Sequence, residues 1–228
     1  MIELYLSAGA NWVAYGGSAS LFTELFKLIL CSSGTGKFIR FHILVLLALL
    51  ALDYFNSLAC YRVLVQSNPV DINHVIPWHG DVLGIKADLN QVDWVRFGLE
   101  HGADPNLNLI EEYKTPLAAA AECGNEEMVK LMLDYRTQAQ GSGAIVLAAA
   151  GGHTSIVKLL LSNGADINET GIRGPPGDEW KDDMASPLHK AAANGHIKTI
   201  HFLIDAGANA DIEDGQGRTP EAVAMAHG

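Results

Sequence analysis

The segment closest to a nucleotide-binding motif is residues 31–37, Cys-Ser-Ser-Gly-Thr-Gly-Lys, which ends in the Gly-Lys pair of phosphate-binding loops. A complete loop has glycine in place of Cys31, serine or threonine in place of Phe38, and a strong strand before it. None of these is present, so we interpret the segment as a connection between a helix and a loop. Residues 16–20, Gly-Gly-Ser-Ala-Ser, likewise lack the glycine spacing of a serine nucleophile elbow.

Nine histidines and three cysteines are the residues best suited to bind a transition metal. Cys31, Cys60 and Cys123 lie far apart and form no Cys-x-x-Cys pair. His189 and His196 are seven residues apart, but no cysteine or carboxylate spacing completes a ligand set. The sequence therefore predicts no metal and no cofactor. Scattered cysteines are typical of a reducing compartment, and we expect a cytoplasmic protein, with the nucleus as the alternative.

Charge is distributed unevenly along the 228 residues, whose formal net charge is −11. Residues 1–75 contain four acidic and four basic side chains, whereas residues 76–228 contain 22 acidic and 11 basic ones. Nucleic-acid binders need a positive surface, so this composition argues against a nucleic-acid partner. It favours a protein partner with a basic surface. The acidic residues form no acid/base constellation, and we predict that the chain is not an enzyme.

Two short strings recur along the chain at a nearly fixed period. The first is a Gly-Ala-Asn or Gly-Ala-Asp string, which begins at Gly9, Gly102, Gly164 and Gly207. The second is a Thr-Pro or Ser-Pro string, which begins at Thr115, Ser186 and Thr219. The steps from Asn73 to Asn106 and from Pro187 to Pro220 are both 33 residues. A fixed period of this length indicates one structural unit that is repeated and stacked.

Residues 186–211 carry the most specific copy of the pattern. They read Ser-Pro-Leu-His-Lys-Ala-Ala-Ala-Asn-Gly-His, then an apolar helix, then Gly-Ala-Asn-Ala-Asp, which resembles the ankyrin repeat. The resemblance implies an all-α ankyrin-repeat solenoid of stacked antiparallel helix pairs with intervening finger loops, with six to seven pairs here. The step from Gln140 to Asn168 is 28 residues, a shortened connection. The step from Asn168 to Asp211 is 43, an insertion of about ten residues.

The same resemblance assigns structural roles to residues that otherwise suggest chemistry. Histidines at the positions of His153, His189 and His196 form hydrogen bonds between neighbouring loops and helices in this family. Asn168 begins a glycosylation sequon, Asn-Glu-Thr, but it is also the turn asparagine of a repeat. We therefore interpret the sequon as a coincidence.

The residue types at each helix boundary favour the same structure on physical grounds. Thr115, Ser186 and Thr219 can cap a helix, and the proline after each fits the first helical position. Alanine runs form helices that pack closely. Glycine before His153 or His196 can end the first helix in a left-handed conformation. One such helix pair cannot bury its apolar face alone, so the units must stack.

The chain is predicted to divide into two parts. Residues 74–228 form an array of about four repeats plus a partial C-terminal one, and residues 1–73 form degenerate ankyrin-like repeats with a Leu-rich helix. Candidate second helices there are Leu21–Leu30 and Phe55–Gln66. The run Ile43–Leu52 would span ~15 Å as a helix, about half of the ~30 Å bilayer core. We interpret it as a buried or partly exposed solenoid helix, with a membrane span and a segment of non-native sequence as the alternatives. An exposed run of this kind would be a sticky patch.

The resemblance also implies a function, because partners of ankyrin proteins commonly contact the fingers and the exposed side of the first helices. We expect a monomeric, non-enzymatic interaction module or scaffold that binds a protein through this concave surface. The inserted finger carries Trp180, a residue type favoured at binding hot spots. The candidate protein-binding residues are His74, Trp78, His79, Lys86, Glu111, Tyr113, Glu122, Arg173, Glu179, Trp180, Lys181, Lys190, Asn194, Gln216 and Arg218.

Three other functions remain as alternatives. The chain begins inside one repeat and stops soon after Thr219 opens another, so it can be the recognition or regulatory tail of a larger multidomain protein. The activity of that enzyme or signalling ATPase would then lie outside this chain. A membrane-anchored protein would use the run Ile43–Leu52. A hydrolase would need a cleft with perturbed ionisable groups, and the sequence offers no sign of one.

Overall fold

A computed structural model of the chain describes residues 58–66, 71–73, 75–76, 80–107, 114–170 and 184–227. The chain divides into two units, Met1–Ile72 and Asn73–Gly228. In the first unit the structure describes helix α1, Leu58–Gln66, in which Tyr61 is buried. The predictions for residues 1–57, including the Leu-rich helix and the loop at residues 31–37, lie outside the described residues.

The second unit contains helices of seven to nine residues in a regular alternation. Its elements are, in chain order, β1 Val75–Ile76, β2 Gly80–Asp81, α2 Val82–Asp88, α3 Val92–Glu100, α4 Pro116–Glu122, α5 Glu126–Asp134, α6 Ala144–Ala150, α7 Thr154–Ser162, α8 Pro187–Ala193, α9 Ile197–Asp205 and α10 Pro220–His227. The two-residue strands pair antiparallel, with Val75 opposite Asp81 and Ile76 opposite Gly80.

The helices of the second unit form two rows. Each first helix packs on its own second helix, which gives the pairs α2/α3, α4/α5, α6/α7 and α8/α9. First helices also pack on the next first helix along the row α2, α4, α6, α8 and α10. Second helices do the same along α3, α5, α7 and α9. This arrangement confirms the predicted all-α solenoid of stacked helix pairs.

Hydroxyl side chains begin three of the first helices as predicted. The Thr115 hydroxyl accepts a hydrogen bond from the Ala118 N–H at 3.1 Å, and that of Thr219 accepts one from Ala222 at 3.3 Å. Ser186 accepts from the His189 N–H at 3.4 Å, and its own N–H donates to the His189 ring in return. These bonds satisfy backbone donors that the first turn of a helix leaves free.

The core consists of small residues in the first helices and larger ones in the second helices. Ala120, Ala148 and Ala191 occupy the same place in three successive first helices, and each has no exposed surface. The second helices bury larger apolar side chains such as Met132 and Leu160. Burial of a side chain of that size contributes about 1.5–3 kcal/mol. The alanines let neighbouring first helices approach closely, while the larger side chains fill the space behind them.

The turn asparagines Asn73, Asn106 and Asn168 each join one repeat to the next. The Asn73 amide oxygen accepts from the Asp104 N–H at 2.8 Å, and the Asn106 amide oxygen accepts from Gln138 at 2.7 Å. Asn168 repeats the contact and accepts from the Asn209 N–H at 2.8 Å. The side chain of the asparagine in the Asn-Glu-Thr sequon therefore forms a hydrogen bond between two repeats.

Candidate functional site

The finger at residues 212–218 is built around one buried carboxylate. The Asp214 side chain is 2% exposed, and its Oδ1 accepts hydrogen bonds from the Gln216 and Arg218 N–H groups, both at 2.9 Å. The Asp214 N–H donates to the Arg218 carbonyl at 2.9 Å, which closes the turn. The finger is thus a closed loop with Gln216 exposed at its tip.

The Arg218 guanidinium completes the environment of Asp214. Its Nε lies 2.9 Å and its NH2 group 2.8 Å from Asp214 Oδ2, so two guanidinium nitrogens contact one carboxylate oxygen in charge-assisted contacts. Burial raises the pKa of Asp214, but hydrogen bonds from Arg218 and Gln216 and the nearby positive charge outweigh it, so the pKa lies below its usual value. The Arg218 guanidinium therefore binds within its own finger, and the side chain remains partly exposed.

His189 anchors this finger to the preceding repeat. Its Nδ1 lies 2.8 Å from the Ser186 hydroxyl and accepts from the Ser186 N–H at 3.2 Å. Since Nδ1 accepts, the proton is on Nε2, which donates to the Arg218 carbonyl at 2.8 Å. His189 is 1% exposed. Its role is to fix the start of α8 to the base of the next finger, as the resemblance implied.

His153 and His196 also act between repeats. His153 Nε2 lies 3.3 Å from the Glu122 carbonyl, and His196 Nε2 lies 2.8 Å from that of Ala150. Each ring lies against a glycine of the preceding repeat. A Cβ on Gly124 would lie 2.5 Å from the His153 ring, and one on Gly152 would lie 2.7 Å from that of His196. In the described ranges no group of histidine, cysteine and carboxylate side chains is arranged to hold a metal ion.

Lys86 does not lie where a binding residue was expected. It is 2% exposed, and its ammonium lies 4.4 Å from the centre of the Trp94 ring. The cause is its place in the repeat, because Lys86 occupies the position of the buried Ala120 and Ala191 in later first helices. The prediction that Lys86 adds to the exposed side of a first helix is therefore wrong.

Of the other three residues predicted for the first helices, Glu122 and Asn194 are at the surface. Glu122 is exposed at the end of α4, where it forms an ion pair with Lys114. Asn194 is exposed just after α8, and its amide donates to the Ala150 carbonyl at 2.9 Å. Lys190 is half-buried within α8. Glu122 and Asn194 lie at the C-terminal ends of their first helices, whereas Gln216 lies in the finger that precedes the N-terminal end of α10.

The remaining predicted contact residues lie outside the described part of the chain, and their roles stay predictions. They are His74, Trp78, His79, Glu111, Tyr113, Arg173, Glu179, Trp180 and Lys181. The run Ile43–Leu52 also lies outside it. Over the residues that are described, each helix is too short or too polar to cross a membrane.

Sequence reasoning missed the role of Glu169. Its carboxylate accepts hydrogen bonds from the Gly141 N–H at 3.1 Å and the Gly143 N–H at 2.6 Å. These glycines lie before α6, whose start lacks the Thr-Pro or Ser-Pro string. The available signal was the string Gly-Ser-Gly at the place of a capping threonine, which leaves donors without a local partner.

Comparison with known families shows to which family this chain belongs. Residues 83–171 match the family model of ankyrin repeats in three copies, and residues 188–228 match that of ankyrin repeats in many copies. Together the two matches cover more than half of the chain. The chain belongs to the ankyrin-repeat family. Ankyrin repeats are generally protein–protein interaction modules.

Curated relatives contain the same repeats within longer proteins. The chain is 24% identical over 186 residues to the human transient receptor potential cation channel subfamily A member 1, which covers 65% of this chain and 16% of the channel. It is 33% identical over 141 residues to human ankyrin repeat and SOCS box protein 16, and the match covers 56% of this chain and 29% of that protein. It is 33% identical over 111 residues to human ankyrin repeat and KH domain-containing protein 1, and the match covers 46% of this chain and 4% of that protein. The ankyrin-repeat chain thus spans less than a third of each of these three relatives.

Proposed function

We propose that this ankyrin-repeat chain is a non-enzymatic scaffold that binds a protein through its first-helix row and fingers. The observation that supports the proposal best is the continuity of this row. Successive first helices pack on each other from α2 to α10. Glu122 and Asn194 are exposed along this row, and Gln216 is exposed in the finger before α10. Their supporting backbone is held by the histidine and asparagine links, so a partner would meet a surface that is already ordered.

The partner proposed from charge is a protein with a basic surface, bound in the cytoplasm. Residues 76–228 carry twice as many acidic as basic side chains. Exposed charge pairs steer association and are screened by salt, with a Debye length of about 10 Å at 0.1 M and about 3 Å at 1 M. Capture of such a partner should therefore weaken as the salt concentration rises. Salt-independent capture would contradict the basic-partner part of the proposal.

The test compares the surface of the first-helix row with that of the second-helix row. Glu122 and Asp205 are both exposed acids that end a helix, Glu122 in a first helix and Asp205 in a second. The full chain, its Glu122→Arg and Gln216→Arg variants, and the control Asp205→Arg are used for affinity capture with quantitative mass spectrometry. Proteins captured by the wild type should be lost with the first two variants and retained with Asp205→Arg. Loss with the control alone, or identical capture by all four proteins, would contradict the proposed surface.

A further inference from the structure

The second helices can be compared residue by residue, because α3, α5, α7 and α9 are each nine residues long. The fifth residue is a cation in three of them, namely Arg96, Lys130 and Lys158. The second residue of the helix that follows is, in the same order, Glu127, Ser155 and Lys198. The cation therefore recurs, whereas the residue next to it in the row changes from acidic to neutral to basic.

The cations of the first two interfaces each have a carboxylate partner. The Arg96 Nη2 atom lies 2.9 Å from Glu127 Oε1, which places the fifth residue of one second helix against the second residue of the next. Where that second residue is Ser155, the Lys130 ammonium pairs with Glu126 of its own helix. The Ser155 side chain hydrogen-bonds to the same carboxylate.

At the third interface two lysines flank one aromatic ring. The Lys158 ammonium lies 5.0 Å from the centre of the Phe202 ring, a cation–π contact between α7 and α9. Lys198 lies four residues before Phe202, so the two side chains are neighbours on the same face of α9. Among the residues that the structure describes, neither lysine forms an ion pair, and both are exposed.

The charge of the second-helix row therefore reverses along the solenoid. Helices α3 and α5 carry five acidic and two basic side chains. Helices α7 and α9 carry the two lysines, His201 and one acid, Asp205. Asp205 lies seven residues after Lys198, ~10 Å along the helix, where salt screens most of its attraction. Ile197, next to Lys198, is 61% exposed and adds an apolar side chain to this positive surface.

The size and composition of this surface limit the class of partner. Nucleic acids require an extended positive surface, which a chain of net charge −11 does not offer. Anionic lipids attract clusters of about four to eight basic residues, and phosphate groups favour arginine, which neither α7 nor α9 contains. We propose that Lys158 and Lys198, with Ile197 beside them, bind an acidic segment of a partner protein that carries neighbouring carboxylates and an apolar side chain.

This surface is separate from the one in the proposed function. It lies on the second-helix row rather than on the first-helix row and fingers, and its partner has the opposite charge. Loss of binding at one surface therefore leaves the other unaffected, and each is tested with its own variants.

The experiment titrates the ¹⁵N-labelled full chain with the end-capped peptide Glu-Glu-Leu-Glu-Glu and follows the ¹H–¹⁵N spectrum. The salt concentration is about 0.1 M, at which charges more than about 10 Å apart are largely screened. The amides of Lys158, Lys198 and Ile197 should show the largest shifts. The peptide Gln-Gln-Leu-Gln-Gln should cause smaller shifts, because it has no carboxylates on its side chains.

Single variants separate this surface from the overall charge of the protein. Lys158→Gln and Lys198→Gln should each weaken binding of the acidic peptide about two- to five-fold, the range expected for one exposed ion pair. Lys130→Gln is the matched control, since it removes the same charge from the matching place in α5, and it should weaken binding less. Lys198→Glu should abolish the shifts and unfold at or above the wild-type temperature, because Lys158 gains the partner that Arg96 has in Glu127.

Several outcomes would overturn the proposal. An equal loss of affinity in Lys130→Gln would assign the binding to net charge, and shifts that persist in Lys198→Glu would place it elsewhere. Equal shifts with the glutamine peptide, or no shifts with either peptide, would also rule it out. Phosphatidylserine vesicles form the last arm. If they bind the chain through Lys158 and Lys198 while the acidic peptide does not, the surface fits a lipid and not a protein.

Discussion

At the scale of single residues, Asp214 shows how a finger keeps its shape. Its carboxylate accepts two backbone N–H bonds and pairs with Arg218, and the side chain is buried. The neighbouring His189 then uses the carbonyl of the same Arg218 to join the finger to α8. One aspartate therefore orders the loop, and one histidine orders the loop relative to the solenoid.

Replacing Asp214 with alanine should destabilise the protein by about 2–3 kcal/mol, because two backbone donors and a guanidinium lose their acceptor. Asp214→Asn should cost less, since an amide oxygen still accepts from the backbone. The lowered pKa of Asp214 means that its contribution is complete above the unfolded pKa, about 3.9, and is lost as the pH falls through the folded pKa. Urea unfolding at pH 7 and below pH 4 measures both effects. An equal cost of Asp214→Asn at the two pH values would contradict the ionic part of this role.

The contact between His196 and Gly152 makes a second prediction at this scale. Gly152 and Gly195 both have left-handed backbone, with φ of 70° and 68°. A Cβ on Gly152 would meet the His196 ring at 2.7 Å, whereas one on Gly195 would meet nothing within 4 Å. Gly195→Ala should therefore cost only the backbone term, about 1–2 kcal/mol, and Gly152→Ala should cost more.

Thermal unfolding of the two alanine variants measures this difference directly. In the double variant Gly152→Ala/His196→Ala, the extra cost should decrease because the ring that opposes the Cβ is absent. Equal losses for Gly152→Ala and Gly195→Ala would show that the histidine ring does not lie against the preceding repeat.

At the scale of elements, the first helices depend on how they begin. Thr115 accepts from the Ala118 N–H and also donates to the Ser142 carbonyl at 2.9 Å, 27 residues away. The Thr219 hydroxyl, by contrast, accepts a local hydrogen bond from the Ala222 N–H. The cap of α4 therefore also links two repeats.

Thr115→Ala should destabilise the protein by about 1–2 kcal/mol, and by more than Thr219→Ala does. Thr115→Ser should retain most of the stability, since serine keeps the hydroxyl that accepts and donates. Chemical denaturation with the three variants makes the comparison. A smaller loss for Thr115→Ala than for Thr219→Ala would mean that the bond to Ser142 contributes nothing.

At the scale of the whole molecule, the sequence predicted the helix caps and turn residues that recur from repeat to repeat. It did not predict the roles of residues that differ from the repeat pattern. The caps at Thr115 and Ser186 and the turn Asn168 recur at matching places in successive copies of the pattern, so each copy supports the others. The error at Lys86 arose because the resemblance was used to place it on the exposed side of a first helix, although its position in the period is that of buried alanines. Glu169 was missed because its partners lie in another repeat and are backbone groups, which leave no side-chain signal.

Each repeat of the second unit lies directly on its neighbour in an open row. The most direct measurement is a NOESY spectrum that detects short contacts between histidine rings and glycine Hα protons. We expect strong cross-peaks from His153 to Gly124 and from His196 to Gly152, because each pair joins consecutive repeats. Absence of both cross-peaks, or strong contacts from His196 to Gly124 in a repeat that is not its neighbour, would contradict it.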